Sequence, residues 1–257
     1  MKILEAHERI YKPDFVMFDF DGTISKLRCG WEEVMREYML ACIPGEPEKI
    51  AALAEHYIDE SAGIQTIAQM RWLAEQVARY GGSALDPWDY KDAFNERLMQ
   101  RVLERKHLLQ SGAADTELFL VPGSRCFLEA FKALHVPMFL ASGTDDADVR
   151  SEAAALRVDG YFDEIAGAPH RVDGCAKKAT LRKLLRPGEK MLIVGDGKVE
   201  IRLGREAGAV TLGIASWDRF ENLTANLNPI KENRLTQSGA HALTADYSDA
   251  ETILNWL

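Results

Sequence analysis

Short apolar runs and longer helical stripes divide this chain unevenly. Phe15-Val16-Met17-Phe18 is a continuous apolar run closed by an Asp-Gly turn signal. Such a run predicts a strand buried on both faces, as in a parallel sheet with helices above and below. From residue 24 to about 118 no convincing strand follows. Trp31, Val34, Met35, Tyr38 and Met39 recur at helical spacing there, as do Ile67, Met70, Ala74 and Val77, and then Phe94, Leu98 and Val102. These stripes predict core-facing helices. From about residue 119 short apolar runs alternate with helices, at 137–142, 161–166, 190–195 and 209–214, with a weaker run at 242–244. That alternation predicts βαβ units around one sheet. The expected fold is α/β: a doubly wound parallel sheet formed by residues 1–23 plus 119–257, interrupted by an all-α block over 24–118.

Composition is consistent with this division and narrows the partners. With 257 residues, 47% of them hydrophobic, the chain can bury a sizeable core in one large domain or two smaller ones. A formal net charge of −9 argues against a nucleic-acid partner, because neutralising phosphates requires a basic face. No stretch is long enough to span a membrane. Cys29, Cys42, Cys126 and Cys175 show no C-x-x-C spacing, and the amino terminus lacks a signal-like apolar segment, so a cytoplasmic location is expected. The six histidines are dispersed and suggest no zinc site. Arg97, Arg101 and Arg105 form an i, i+4 basic stripe, expected to be a solvated face. Composition leaves the oligomeric state open.

The chemistry concentrates where the first strand ends. In Asp19-Phe20-Asp21-Gly22-Thr23 the two acids are two residues apart, so their side chains leave the strand on one side, at the carboxyl end where open α/β sheets bind ligands. Two acids placed together call for a cation. Magnesium suits them, since it favours one or two carboxylates plus a substrate phosphate. The plainer alternative is an Asx-type turn in which Asp21 and Thr23 only satisfy local backbone groups.

Three further segments argue against that alternative by occurring together and in order. A strand ends in Ser142-Gly143-Thr144, a helix opens with Lys177-Lys178, and another strand ends in Gly195-Asp196-Gly197, with Glu200 three residues on. Each is weak alone. Together with Asp-x-Asp-Gly-Thr they resemble the four motifs of the haloacid dehalogenase superfamily, matched in order from Asp19 to Glu200. The resemblance implies a Rossmann-like core with the inserted helical block as a cap over the active site.

It also implies roles for individual residues. Asp19 would be the nucleophile that forms an aspartyl-phosphate, and Asp21 the acid that protonates the leaving oxygen and later deprotonates water. Ser142, with the N–H groups of Gly143 and Thr144, would hold phosphoryl oxygens. A lysine would bridge Asp19 and the phosphate; Lys177 is favoured over Lys178 because it adjoins the loop. Asp19, the Asp21 backbone carbonyl, Asp196 and Glu200 would surround the magnesium, with Glu200 acting directly, through water or as an orienter. The superfamily's dehalogenases lack an acid at the Asp21 position, which removes that reaction. The expected function is a magnesium-dependent phosphatase acting on a small phosphate ester, with sugar or polyol phosphates favoured. A β-phosphoglucomutase-like phosphomutase and a non-catalytic binding module are the alternatives. Thr23, Arg28, Trp31 and Gln65 are the candidate substrate contacts, and Ser61 is expected to cap the helix that follows it.

Overall fold

The computed structural model describes residues 1–172, 174–217, 220 and 226–257. Among the described residues seven strands form one sheet: β1 (Lys2–Ile3), β2 (Phe15–Phe18), β3 (Met138–Asp145), β4 (Glu164–Ala168), β5 (Met191–Gly195), β6 (Val210–Ile214) and β7 (Ala242–Thr244). Their order is β1-β7-β6-β5-β2-β3-β4; β1 is antiparallel to β7 and every other pairing is parallel. The strand order therefore runs outward in both directions from β2. The boundary between β2 and β5 is the topological switch point, where open α/β sheets leave a crevice beyond the strand ends.

Alternation along the strands sorts the core. Val16 and Phe18 of β2 join Leu192 and Val194 of β5 on one face, while Phe15 and Met17 join Met191 and Ile193 on the other. The first face is covered by α5 (Ser124–Ala133), α6 (Asp146–Ala155) and α10 (Ala250–Trp256) through Phe127, Phe131, Val149 and Ile253. The second is covered by α7 (Ala176–Leu184) and α8 (Lys198–Glu206) through Leu181 and Leu203. Leu235 of α9 (Pro229–Gln237) packs with Ile201 and Leu243. Both faces are covered, which is why β2, β5 and β6 are buried at every residue and β2 and β5 read as apolar runs.

Between β2 and β3 lie four helices, α1 (Trp31–Cys42), α2 (Pro47–Ser61), α3 (Thr66–Arg79) and α4 (Pro87–Gln110). They enclose a core of their own, which includes Met35, Met39, Ile50, Met70, Leu73, Phe94, Leu98 and Val102. Proline opens α2 and α4, where its missing N–H goes unused, and Asp86 caps α4 by accepting from the Trp88 N–H at 2.8 Å. Ile24, Leu27, Phe119 and Leu120 pack instead with the sheet. Ser61 ends α2 and does not start the next helix; α3 begins at Thr66 after Gln65. The Ser61 hydroxyl accepts from Gln69 Nε2 at 3.0 Å.

The basic stripe of α4 is only partly a solvated face: Arg97 is exposed, whereas Arg101 and Arg105 are half-buried. Arg105 donates to the carbonyls of Leu27 (2.6 Å) and Cys29 (2.9 Å), Arg101 pairs with Glu33 at 2.8 Å, and Arg97 lies over the Tyr38 ring. The periodicity is that of a surface, but the loop leaving β2 crosses this surface and uses its donors.

Candidate active site

The strand ladder places the first acid. The Asp19 N–H donates to the Val194 carbonyl at 2.9 Å, which extends the β2–β5 pairing by one residue and brings Asp19 beside the loop after β5. The chain then turns tightly, with the N–H groups of Thr23, Ile24 and Ser25 all directed to the Phe20 carbonyl. Gly22 has φ +73°, and a Cβ built on it would lie 2.2 Å from Asp196 Oδ2. Only glycine combines that backbone with so close an approach. Thr23 is fully buried behind the turn.

Buried cations hold the carboxylates. Lys177 Nζ lies 2.9 Å from Asp19 Oδ1 and 2.7 Å from Glu200 Oε2, and all three side chains are buried. Burial works against the Lys177 charge, but Asp19 and Glu200 outweigh it and hold the ammonium above its usual range. Burial pushes Asp19 well above the carboxylate range, with Lys177 pulling the other way. At Asp196 burial is outweighed by Lys231 and Arg234, and the carboxyl stays below its usual value. Lys231 Nζ is 2.8 Å from Asp196 Oδ2 and donates to Ser216 Oγ at 3.3 Å. Lys178, beside Lys177, is exposed.

Asp19, Asp196 and Glu200 each offer a carboxylate oxygen within 4.8 Å of the others. Lys177 occupies one oxygen of Asp19 and Lys231 one of Asp196, so each of these acids keeps a second. Glu200 is engaged at both: Oε2 meets Lys177 and Oε1 accepts from the Gly197 N–H. The donor set is hard oxygen and fits magnesium, with Asp19 and Asp196 better placed to bind it directly than Glu200.

A family model, haloacid dehalogenase-like hydrolase, matches residues 13–208. The chain belongs to this family. It is accordingly a hydrolase, and the resemblance read from its motifs is correct. Among solved structures it is similar to a predicted phosphoglycolate phosphatase from Haemophilus somnus 129pt, with 17% identity, TM-score 0.63, and 96% of this chain and 99% of that one covered. A predicted phosphatase from Clostridium acetobutylicum follows, with 12% identity, TM-score 0.62 and coverage of 96% and 100%. A β-phosphoglucomutase from Clostridium difficile has 14% identity, TM-score 0.62 and coverage of 95% and 96%. At these identities the likeness is one of fold. No curated protein matches the chain.

In this haloacid dehalogenase-like hydrolase the carboxylates open onto a cavity of about 120 Å³, lined among others by Asp19, Asp21, Ser142, Gly143, Thr144 and Lys177. Asp21 is fixed from one side. Its Oδ2 accepts from Thr144 Oγ1 at 2.7 Å and from Ser142 Oγ at 3.3 Å, and its buried Oδ1 has no hydrogen-bond partner. The Thr144 N–H donates to Ser142 Oγ at 3.0 Å, and α6 starts two residues later at Asp146.

The four candidate substrate residues fare differently. Arg28 and Trp31 line the cavity. The Arg28 guanidinium, however, is held by Glu152 at 2.6 Å and Asp148 at 3.2 Å, and lies 3.9 Å from Asp21 Oδ1. Gln65 turns away to the Gly174 carbonyl, while Thr66 and Gln69 line the cavity. Thr23 does not line it.

Sequence reasoning missed Glu152, Lys231 and Arg234. Lys231 and Arg234 stand three apart on α9, so both reach the same side of that helix toward Asp196. The only signal was a pair of cations at helical spacing after Asn228-Pro229, which by itself predicts a solvated face.

Proposed function

We propose that this hydrolase is a magnesium-dependent phosphatase that cleaves a small phosphate monoester through an aspartyl-phosphate on Asp19. One observation carries the reading. A lysine-paired carboxylate and a second acid with a buried, unpartnered oxygen face one cavity, as an in-line displacement followed by hydrolysis requires.

Asp19 attacks phosphorus, the ester P–O bond breaks, and Asp21 serves as the general acid to the leaving oxygen. In the second step Asp21 accepts a proton from water as that water attacks phosphorus, freeing phosphate and restoring the Asp19 carboxylate. Thr144 and Ser142 hold Asp21 through one oxygen and leave the other to exchange the proton. Lys177 stays charged throughout and supports the charge on the transferring phosphoryl group. Asp19, Asp196 and the Asp21 carbonyl are the groups we assign to the magnesium, with Glu200 orienting Lys177 and the Gly197 loop. When bound, the ion would neutralise phosphoryl charge. The helices α1–α4 serve as a cap, a role supported by their separate core and by the cap-side residues Trp31, Gln69 and Phe94 lining the cavity.

The substrate class is a small polar ester of polyol or sugar type, and the working location is the cytoplasm. Among the described residues no helix is long and apolar enough to cross a membrane. The test is phosphate release from a panel of sugar, polyol, nucleotide and small-acid phosphates, with and without magnesium. We expect metal-dependent release that Asp19→Asn abolishes. Isomerisation without release would instead assign a phosphomutase, and release that survives in the variant would remove Asp19 as nucleophile.

A further inference from the structure

Among the described residues, four basic side chains stand around the carboxylates, and three of them are firmly engaged. Lys177 is shared by Asp19 and Glu200, Lys231 meets Asp196 and Ser216, and Arg28 is held by Glu152 and Asp148. Arg234 differs. Its Nε is buried without a hydrogen-bond partner, its Nη2 is 3.4 Å from the Asp196 carbonyl, and its Nη1 is 3.7 Å from Asp59 Oδ1, beyond hydrogen-bond reach. Asp59 is itself 59% exposed at the side chain, so solvent screens that pairing. A guanidinium offers five N–H donors in a rigid fork, and the Arg234 side chain is only 14% exposed. Donors so enclosed and so little used are costly unless an acceptor arrives. The residue lines the same cavity as Asp19, next to Asp196 and Gly197.

We propose that Arg234 receives a carboxylate on the leaving portion of the substrate, so that the preferred esters are short phosphorylated carboxylic acids. This rests on the phosphatase reading and replaces its polyol or sugar preference with an acidic one. A carboxylate matches the guanidinium fork with two parallel hydrogen bonds, which a hydroxymethyl group cannot supply. The size of the cavity agrees, because about 120 Å³ is of the order that accepts a benzene-sized molecule and leaves room for a phosphoryl group with a short chain. Arg28 cannot take this role, since the carboxylates of Glu152 and Asp148 already face it.

The probes are 3-phosphoglycerate and glycerol 3-phosphate, three-carbon esters that differ by carboxylate against hydroxymethyl. Wild type should show the lower KM for the acid. In Arg234→Ala the ratio of kcat/KM for the acid to kcat/KM for glycerol 3-phosphate should fall about tenfold or more, on top of any loss that both esters share through Asp196, the worth of one charge-assisted contact. Arg234→Lys should recover part of the loss. Asp59→Asn separates recognition from a mere tie between α9 and α2: it should leave the preference for the acid intact. Equal losses on both esters, or an Asp59→Asn variant that copies Arg234→Ala, would overturn the inference and leave the phosphatase reading standing. Calorimetric binding of both probes to Asp19→Asn with magnesium gives the same comparison without turnover. Equal affinities there overturn the inference even if no ester is hydrolysed, whereas absence of turnover on every ester defeats the phosphatase reading.

Discussion

Glu152 shows how one buried residue sets a pH response. It lies at 0% exposure on α6, bonded to Arg28, and burial raises its carboxyl to about 7 although Arg28 pulls it down. The unfolded chain releases this proton near the ordinary 4.5, so between about pH 4.5 and 7 the folded state binds more protons than the unfolded one. Stability from this group is therefore full below that window and falls as pH rises through it. Glu152→Gln should flatten the pH dependence of unfolding across the same range, measured as urea midpoints from pH 4.5 to 8. An unchanged slope would mean that the Arg28 pairing keeps Glu152 ionised in the fold. The residue also illustrates what a single sequence hides. A lone Glu between Ser151 and three alanines gives no sign that an arginine from a distant loop will be buried against it.

At the scale of elements, α4 is the support for the loop that leaves β2. Arg105 donates to two carbonyls of that loop on either side of Arg28, so Arg105→Ala should remove two charge-assisted bonds and lower stability by about 2 kcal/mol, seen as a lower urea midpoint with unchanged slope. A change below about 0.5 kcal/mol would return this stripe to a solvated role. Most strands and helices were legible from their apolar periods, because burial on two faces or on one stripe leaves a pattern in composition; the short, exposed edge strand β1 and the helix α2 were not read. Asp19, Asp21, Ser142, Lys177 and Asp196 were legible for a different reason: each sits at a strand end or helix start, where the fold leaves polar groups free for chemistry. Arg105, Lys231 and Arg234 were not, since their partners are loops and backbone groups brought near by tertiary folding. The Ser61 expectation failed on the same ground. A serine before a helix-compatible stretch can equally well end the previous helix, and the packing of Gln69 against it decides the matter.

For the whole molecule, the proposed magnesium site would tie metal binding to stability through the carboxylate cluster. An ion that binds only the folded state adds stability by mass action, about 2.7 kcal/mol at a hundredfold excess over its dissociation constant. For a chain of this length that is roughly a 5–10 °C rise in Tm. We expect magnesium to raise Tm by that order in the wild type, Asp196→Asn to abolish the rise, and Glu200→Ala to reduce it only in part; equal losses in the two variants would make Glu200 a direct ligand. The shared boundary of β2 and β5 has a kinetic counterpart. Asp19 and Asp196 meet across neighbouring strands although most of the chain separates them in sequence, and the four-helix insertion lies within that separation. Local helical contacts form quickly, whereas pairing distant strands is slow. The carboxylate cluster is therefore assembled only when the slowest part of the topology closes, and its completion during refolding times the zipping of the central strands.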